Sequence, residues 1–292
     1  MKPAPFDYVI PATLEEAIGY LANDDVEAHV LAGGQSLVPA MNMRMSRPEL
    51  LVDLAKVDDL DFIRDESGSL QLGAMTTKRD VEMSPVVAHA QPLLHAANMW
   101  VAHPQIRNRS TVGGSIAHAD PAAEYPAVAL LLGAEFEAQG PNGKRTIPVD
   151  DFFVTYFTTA LEEGEVLTKV MLPAMAAGTG WSFQEIARRH GDFAMAGVGV
   201  TLQLDSAGHC QNTRVVPFAL GPTPVRATAV EEAINGETPS ADLFEHACQK
   251  MADGIEDPTS DVHASVEYRR HLSSVLGARA LEEAVDRARA AN

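Results

Sequence analysis

Residues 111–124 read TVGGSIAHADPAAE. Thr111 and Val112 run into the adjacent glycines Gly113 and Gly114, then Ser115, then a small-residue run holding His118, Asp120 and Glu124. Three readings compete: a tight turn, a cradle for an anion, or a metal or catalytic cluster. Paired glycines let the backbone approach a ligand and adopt φ > 0. Successive N–H groups in such a turn form a concave nest for anions, and a nearby serine hydroxyl adds a donor. A second stretch has the same shape: Ala32, Gly33, Gly34, Gln35 and Ser36 follow the β-prone His29-Val30-Leu31. Two nests from separate segments suit the two phosphates of a dinucleotide. Two tight turns explain the same residues, and the sequence leaves both readings open.

This is not the dinucleotide fingerprint GxGxxG between a strand and a long helix, because neither pair has the spacing. Gly197-Val198-Gly199 gives GxG, but Val200-Thr201-Leu202 continues as a strand. A metal site needs at least three protein ligands, and Asp120-Pro121 reads instead as a helix start with Asp120 as N-cap. No GxSxG nucleophile elbow occurs. RRHGDFAMA (188–196) is a third unusual segment. Phe193, next to a turn, suits stacking over a planar ligand and Asp192 suits accepting a ring N–H; an edge-strand turn with a core Phe is the plainer alternative.

Outward from these segments the pattern is α+β. Thr13 and Glu16 have capping-box spacing before the apolar stripe Leu14, Ala17, Ile18 and Leu21. Strands are expected at 29–31, 50–54, 69–77, 134–139 and 165–173, and helices at 78–83, 92–101 and 121–132. AMAAGTG (174–180) reads as a linker and domain boundary. Beyond it come three antiparallel strands (181–189, 195–205 and 213–221), then helices at 227–235, 241–252 and about 263–290, with Gly277 a candidate break or kink.

The 292 residues carry 22 basic and 40 acidic side chains, a formal net charge of −18. Such a balance argues against nucleic-acid binding. No apolar run has membrane-spanning length, and the opening MKPAPFDYVI lacks a secretory leader pattern, so a cytoplasmic protein is expected. Cys210 and Cys248 are the two cysteines; they form no CxxC pair and cannot supply the four thiolates of an iron–sulfur cluster.

Four quoted stretches resemble one family in order and spacing, over nearly the whole chain: AGGQSLVPAMNMRMSRPELLVDL, TVGGSIAHADPAAEYPAVALLLGA, RRHGDFAMAGVGVTL and VEYRRHLSSVLGARALEEA. They look like the FAD-binding medium subunit of molybdenum hydroxylases, the carbon monoxide dehydrogenase/xanthine dehydrogenase family. The resemblance implies a two-lobed α+β FAD-binding domain of the vanillyl-alcohol-oxidase/PCMH type (lobes 1–55 and 56–175), then a C-terminal domain (176–292) with a small antiparallel sheet and helices. It also implies partners: a large subunit holding the molybdenum cofactor and a small one carrying [2Fe-2S] clusters, as a dimer of heterotrimers. In that arrangement FAD takes electrons from the clusters and passes them to an external acceptor.

Residue by residue, the resemblance implies that Ala32, Gly33, Gly34, Gln35 and Ser36, with Leu37, and Thr111, Val112, Gly113, Gly114 and Ser115 wrap the pyrophosphate and ribityl chain. Val101 joins the cofactor set. Glu124 stands where relatives often have Asp against the ribityl or flavin. Leu167 is expected at the isoalloxazine edge through its backbone, with Asp192 and Phe193 beside the ring. Gln184 falls where many relatives have Lys. Gln35 replaces the His of many carbon monoxide dehydrogenases, which favours relatives acting on N-heteroaromatic compounds or aldehydes. No catalytic acid or base and no metal ligand is assigned. A second reading is a stand-alone FAD-dependent reductase of the same broad fold, which needs its own substrate pocket and a catalytic Ser or Glu in the C-terminal domain.

Overall fold

The computed structural model describes residues 1–66 and 68–291. The first lobe holds β1 (Asp7–Val9), α1 (Leu14–Leu21), β2 (Ala28–Leu31), α2 (Leu37–Asn42) and β3 (Leu50–Asp53). The strands lie in the order β1-β3-β2, all parallel. Parallel neighbours need crossover connections: α2 links the neighbours β2 and β3, and α1 carries the chain from β1 across β3 to β2. The Thr13 hydroxyl caps α1 by accepting the Glu16 amide, while the Glu16 carboxylate reaches back to the Ala12 amide at 2.9 Å. Ala17 and Ile18 face a core of Leu50, Val52, Leu54, Val57 and Leu60.

The second lobe starts with the antiparallel pair β4 (Ile63–Glu66) and β5 (Ser69–Gly73). Six short helices follow: α3 (Lys78–Met83), α4 (Pro85–Ala90), α5 (Pro92–Asn98), α6 (Pro104–Arg107), α7 (Val112–His118) and α8 (Glu124–Leu132). Proline opens three of them, α4, α5 and α6, at the position where its missing N–H costs nothing. Then come β6 (Glu135–Gly140), β7 (Gly143–Pro148), α9 (Val149–Phe152), the ribbon β8 (Phe153–Thr155) and β9 (Thr158–Thr159), and β10 (Val166–Pro173). The sheet order β4-β5-β10-β6-β7 closes the lobe with its last strand between the two hairpins. Leu70, Leu72, Leu93, Leu94, Ile116, Leu131, Phe136 and Phe152 fill its core.

The C-terminal domain holds the meander β11 (Gly180–Ala187), β12 (Ala194–Leu204) and β13 (Cys210–Phe218), then α10 (Thr228–Ile234), α11 (Ala241–Cys248) and α12 (Val266–Ala291). A Cβ on Gly180 would overlap the Ala284 carbonyl, so α12 lies directly on β11. Gly197 and Gly199 are strand glycines that make room for Phe218 and Leu131.

Three local expectations need correcting. The helix expected from Pro121 begins at Glu124, and Asp120 does not cap it; its carboxylate accepts the Ala122 amide at 2.9 Å and closes a turn before the helix. Gly277 does not break the last helix: α12 runs through it, and the bare Cα there makes room for Met251 and Cys248. TVGGS is not a turn after a strand but the first turn of α7.

Candidate functional site

A cavity of about 860 Å³ opens between the two N-terminal lobes, with a wall from the C-terminal domain. One side is Ala28 to Leu37, the opposite side runs from Val101 to Glu124, and Phe157 to Glu165 and Gly191 to Phe193 complete it. Its size is at the upper end for ligand pockets.

The two glycine segments meet here. A Cβ on Gly33 would strike the Arg109 carbonyl and the Ser110 Cα, and one on Gly114 would sit 2.8 Å from the Thr111 hydroxyl and 3.4 Å from the Ala32 Cβ. Gly34 has φ +71°, a conformation that favours glycine. No acceptor among the described residues takes the amide hydrogens of Gly34, Gln35 or Ser36. The Gln35 side chain donates to the Gly33 carbonyl at 2.9 Å and holds the turn in shape. This segment keeps the open amides of an anion nest.

The second segment does not. The amides of Val112, Gly113 and Ser115 donate to the carbonyls of Thr76, Ala74 and Thr111, and that of Gly114 donates to the Thr111 hydroxyl at 3.0 Å. The expected second nest is therefore used up in folding. Its glycines serve close packing instead: Gly113 has no room for a Cβ because Ala74 lies against it. What this segment turns toward the cleft is the Ser115 side of α7.

Of the residues expected at the site, Ala32, Gly33, Gly34, Gln35, Ser36, Leu37, Val101, Thr111, Gly114, Ser115, Glu124, Asp192 and Phe193 line the cavity. Val112 and Gly113 are buried behind it. Leu167 lies in β10, buried in the second lobe's core. Gln184 points away: its side-chain amide donates to Glu283 of α12 at 2.7 Å. Strand alternation explains this, since Gln184 and Glu185 take opposite faces of β11, and it is Glu185 that falls near Glu124. The sequence reading passed over Glu185, and also Lys78, Ile106 and Phe157 of the cavity wall. The two-residue period along β11 was signal enough for Glu185; a single Lys after a capping Thr gave none for Lys78.

A charged cluster is buried along this wall. Lys78, Glu124 and Glu185 are 5%, 7% and 6% exposed. Burial lowers the Lys78 ammonium to about 8, against the pull of Glu124. Burial pushes the Glu124 carboxyl up, with Lys78 opposing. Burial and the neighbouring Glu124 push Glu185 up to about 9. His118 faces the same cavity, its ring 5.1 Å from that of Phe157, and burial lowers its pKa.

The sequence pattern of the FAD-binding domain in molybdopterin dehydrogenases matches residues 4–175. The carbon monoxide dehydrogenase flavoprotein C-terminal domain matches residues 181–284. The chain belongs to the FAD-binding medium subunits of the molybdenum hydroxylases. Among these it is 40% identical to the 6-hydroxypseudooxynicotine dehydrogenase complex subunit alpha of Paenarthrobacter nicotinovorans, over 99% of this chain and 97% of that one. It is 36% identical to the carbon monoxide dehydrogenase medium chain of Hydrogenophaga pseudoflava, over 97% and 98%. A solved carbon monoxide dehydrogenase from Hydrogenophaga pseudoflava, lacking the Mo-pyranopterin moiety, superposes with a TM-score of 0.94 at 37% identity, covering 98% and 99% of the two chains. Quinoline 2-oxidoreductase from Pseudomonas putida 86 does so with 0.94 at 36% identity, covering 99% of each.

This molybdenum-hydroxylase medium subunit is thus an oxidoreductase flavoprotein, a component of a multi-subunit complex, with the α+β PCMH-like fold and its C-terminal domain as expected. Its cofactor is FAD, and the cleft fits it: a long cavity, a glycine turn where any Cβ would collide, and amides left without protein acceptors. No helix among the described residues is long and apolar enough to cross a membrane.

Proposed function

We propose that this subunit carries electrons from [2Fe-2S] clusters of a small partner subunit, through FAD in the cleft, to an external acceptor. A large partner subunit holding the molybdenum cofactor oxidises the substrate, an N-heteroaromatic compound, an aldehyde or carbon monoxide. The assembly is a dimer of heterotrimers. The cleft between the lobes carries the reading, because Gly33 and Gly114 bring its walls together while the 32–36 turn keeps its amides free. Cys210 and Cys248 are buried free thiols, and burial pushes Cys248 up to about 12, which leaves cluster ligation to the partner.

FAD, when bound, supplies the redox chemistry, and the protein positions and tunes it. Gly34, Gln35 and Ser36 would hold the phosphates through their amides. Ser115 and Glu124 line the cleft on the second lobe's side, and Asp192 and Phe193 line it from the C-terminal domain.

The test is purification of the full chain with the partners it retains. One FAD per chain is expected, reduced by substrate in the complex and not in the isolated chain. Reduction of the isolated chain by a nicotinamide nucleotide, with full turnover, would establish the stand-alone reductase instead.

A further inference from the structure

Lys78 begins α3, directly after the capping residue Thr77, and its side chain lies in the cleft wall. An ammonium group has three N–H donors. One goes to the Ser115 hydroxyl at 3.0 Å, and the group stands 4.7 Å over the Tyr125 ring. None of the ion pairs among the described residues includes Lys78. Glu124 acts on it only at longer range. A buried cation with one neutral acceptor is costly. It sits beside the α7 segment, whose own amides are all engaged, so α7 offers a cleft anion no backbone donor on this wall.

We infer that Lys78 is a cofactor-contacting cation: its remaining donors take an anionic group of the bound flavin nucleotide. The anion is either a phosphate oxygen or the reduced flavin ring. This rests on the reading of the cleft as the FAD site. The groups around Lys78 are Ser115 and His118 of α7, Glu124 and Tyr125 of α8, and Asn98 of α5, with Asp120 and Glu185 of β11 reaching it only through Glu124. Asn98 donates to the Lys78 carbonyl and accepts from the Tyr125 hydroxyl, both at 2.9 Å, which anchors the backbone but leaves the ammonium free to serve the cleft.

The test titrates FAD into flavin-stripped full chain carrying Lys78, Lys78→Met or Lys78→Arg. With a phosphate oxygen as the partner, a hydrogen bond to a charged group predicts a loss of FAD affinity of about tenfold to a hundredfold for Lys78→Met, with partial recovery in Lys78→Arg; with the reduced ring as the partner, oxidised FAD binds unchanged and sulfite addition weakens. In the unmodified chain the affected affinity, for FAD or for sulfite, falls as pH rises through about 8, where the ammonium loses its proton. Sulfite addition to the bound flavin separates the two anions: weaker sulfite binding in Lys78→Met places the charge at the ring, and unchanged sulfite binding with weaker FAD places it at the phosphates. A folded Lys78→Met protein with unaltered FAD and sulfite affinities overturns the inference and leaves Lys78 as an internal partner of Glu124. Should that variant not fold, FAD binding and sulfite binding in the unmodified chain that both stay flat between about pH 7 and about pH 9 overturn it equally. An unmodified chain that binds no FAD is a different failure, that of the cleft reading itself.

Discussion

Gly33→Val is expected to yield a protein that retains no FAD and melts about 2–12 °C lower. The reason is local and steric. Any Cβ at residue 33 meets the Arg109 carbonyl and the Ser110 Cα, both backbone. That strand of chain cannot yield: the Ser110 amide donates to the Ile106 carbonyl at 2.7 Å and its carbonyl accepts the Lys78 amide at 2.9 Å. The first lobe must therefore move off the second, and the cleft between them loses its shape. Overpacking of this kind costs about 1–3 kcal/mol, and for a chain of this size each kcal/mol lowers the melting temperature by about 2–4 °C. The flavin-to-protein ratio after purification and a thermal melt check both halves. Stoichiometric flavin in the valine variant would show that the 32–36 turn does not shape the site.

Glu185→Gln is expected to stabilise the flavin-free chain, and to do so more as pH rises. The Glu185 carboxyl is buried and its Oε2 has no hydrogen-bond partner among the described residues. Burial and Glu124 hold its pKa near 9, against an ordinary 4.5. The folded chain thus binds a proton that the unfolded chain releases. Stability from this group is complete below about pH 4.5 and is lost as pH rises towards 9. Glutamine has the same shape and no proton to lose, so the gain grows by about 1.4 kcal/mol per pH unit and reaches ~3 kcal/mol near neutrality. Lys78 titrates alike in both proteins and cancels from the difference. Denaturant unfolding at about pH 5 and about pH 8 measures the gain; equal differences at the two pH values would mean that Glu185 is ionised in the folded chain.

The sequence showed most where periodicity and punctuation are strong. The meander at 180–218 and helix α1 lie where alternation and capping place them. The first glycine turn was legible because Gly-Gly comes directly after a β-prone stretch, although the helix α2 that follows it was not read. TVGGS was not, because which acceptors its amides find depends on Ala74 and Thr76, close in space but more than thirty residues away in the chain. Three-residue β1 was missed for lack of length, since its parallel pairing to β3 is a non-local event. Gln184 was a register error: one residue along β11 separates a side chain facing α12 from one buried on the opposite face near Glu124.

The cleft draws its walls from residues 28–37, 101–124, 157–165 and 191–193, and Gly191 of the last group packs so closely on His103 that a Cβ would collide with the ring. Such a site has no counterpart in any fragment. Its ends come together only after chain segments over 150 residues apart have docked, so loop-closure entropy is spent before the first cofactor contact is made. Retention of flavin is therefore a gauge of complete folding. A substitution far from the cleft, under α12 for example, will register as lost colour as soon as it loosens the seam between Gly191 and His103.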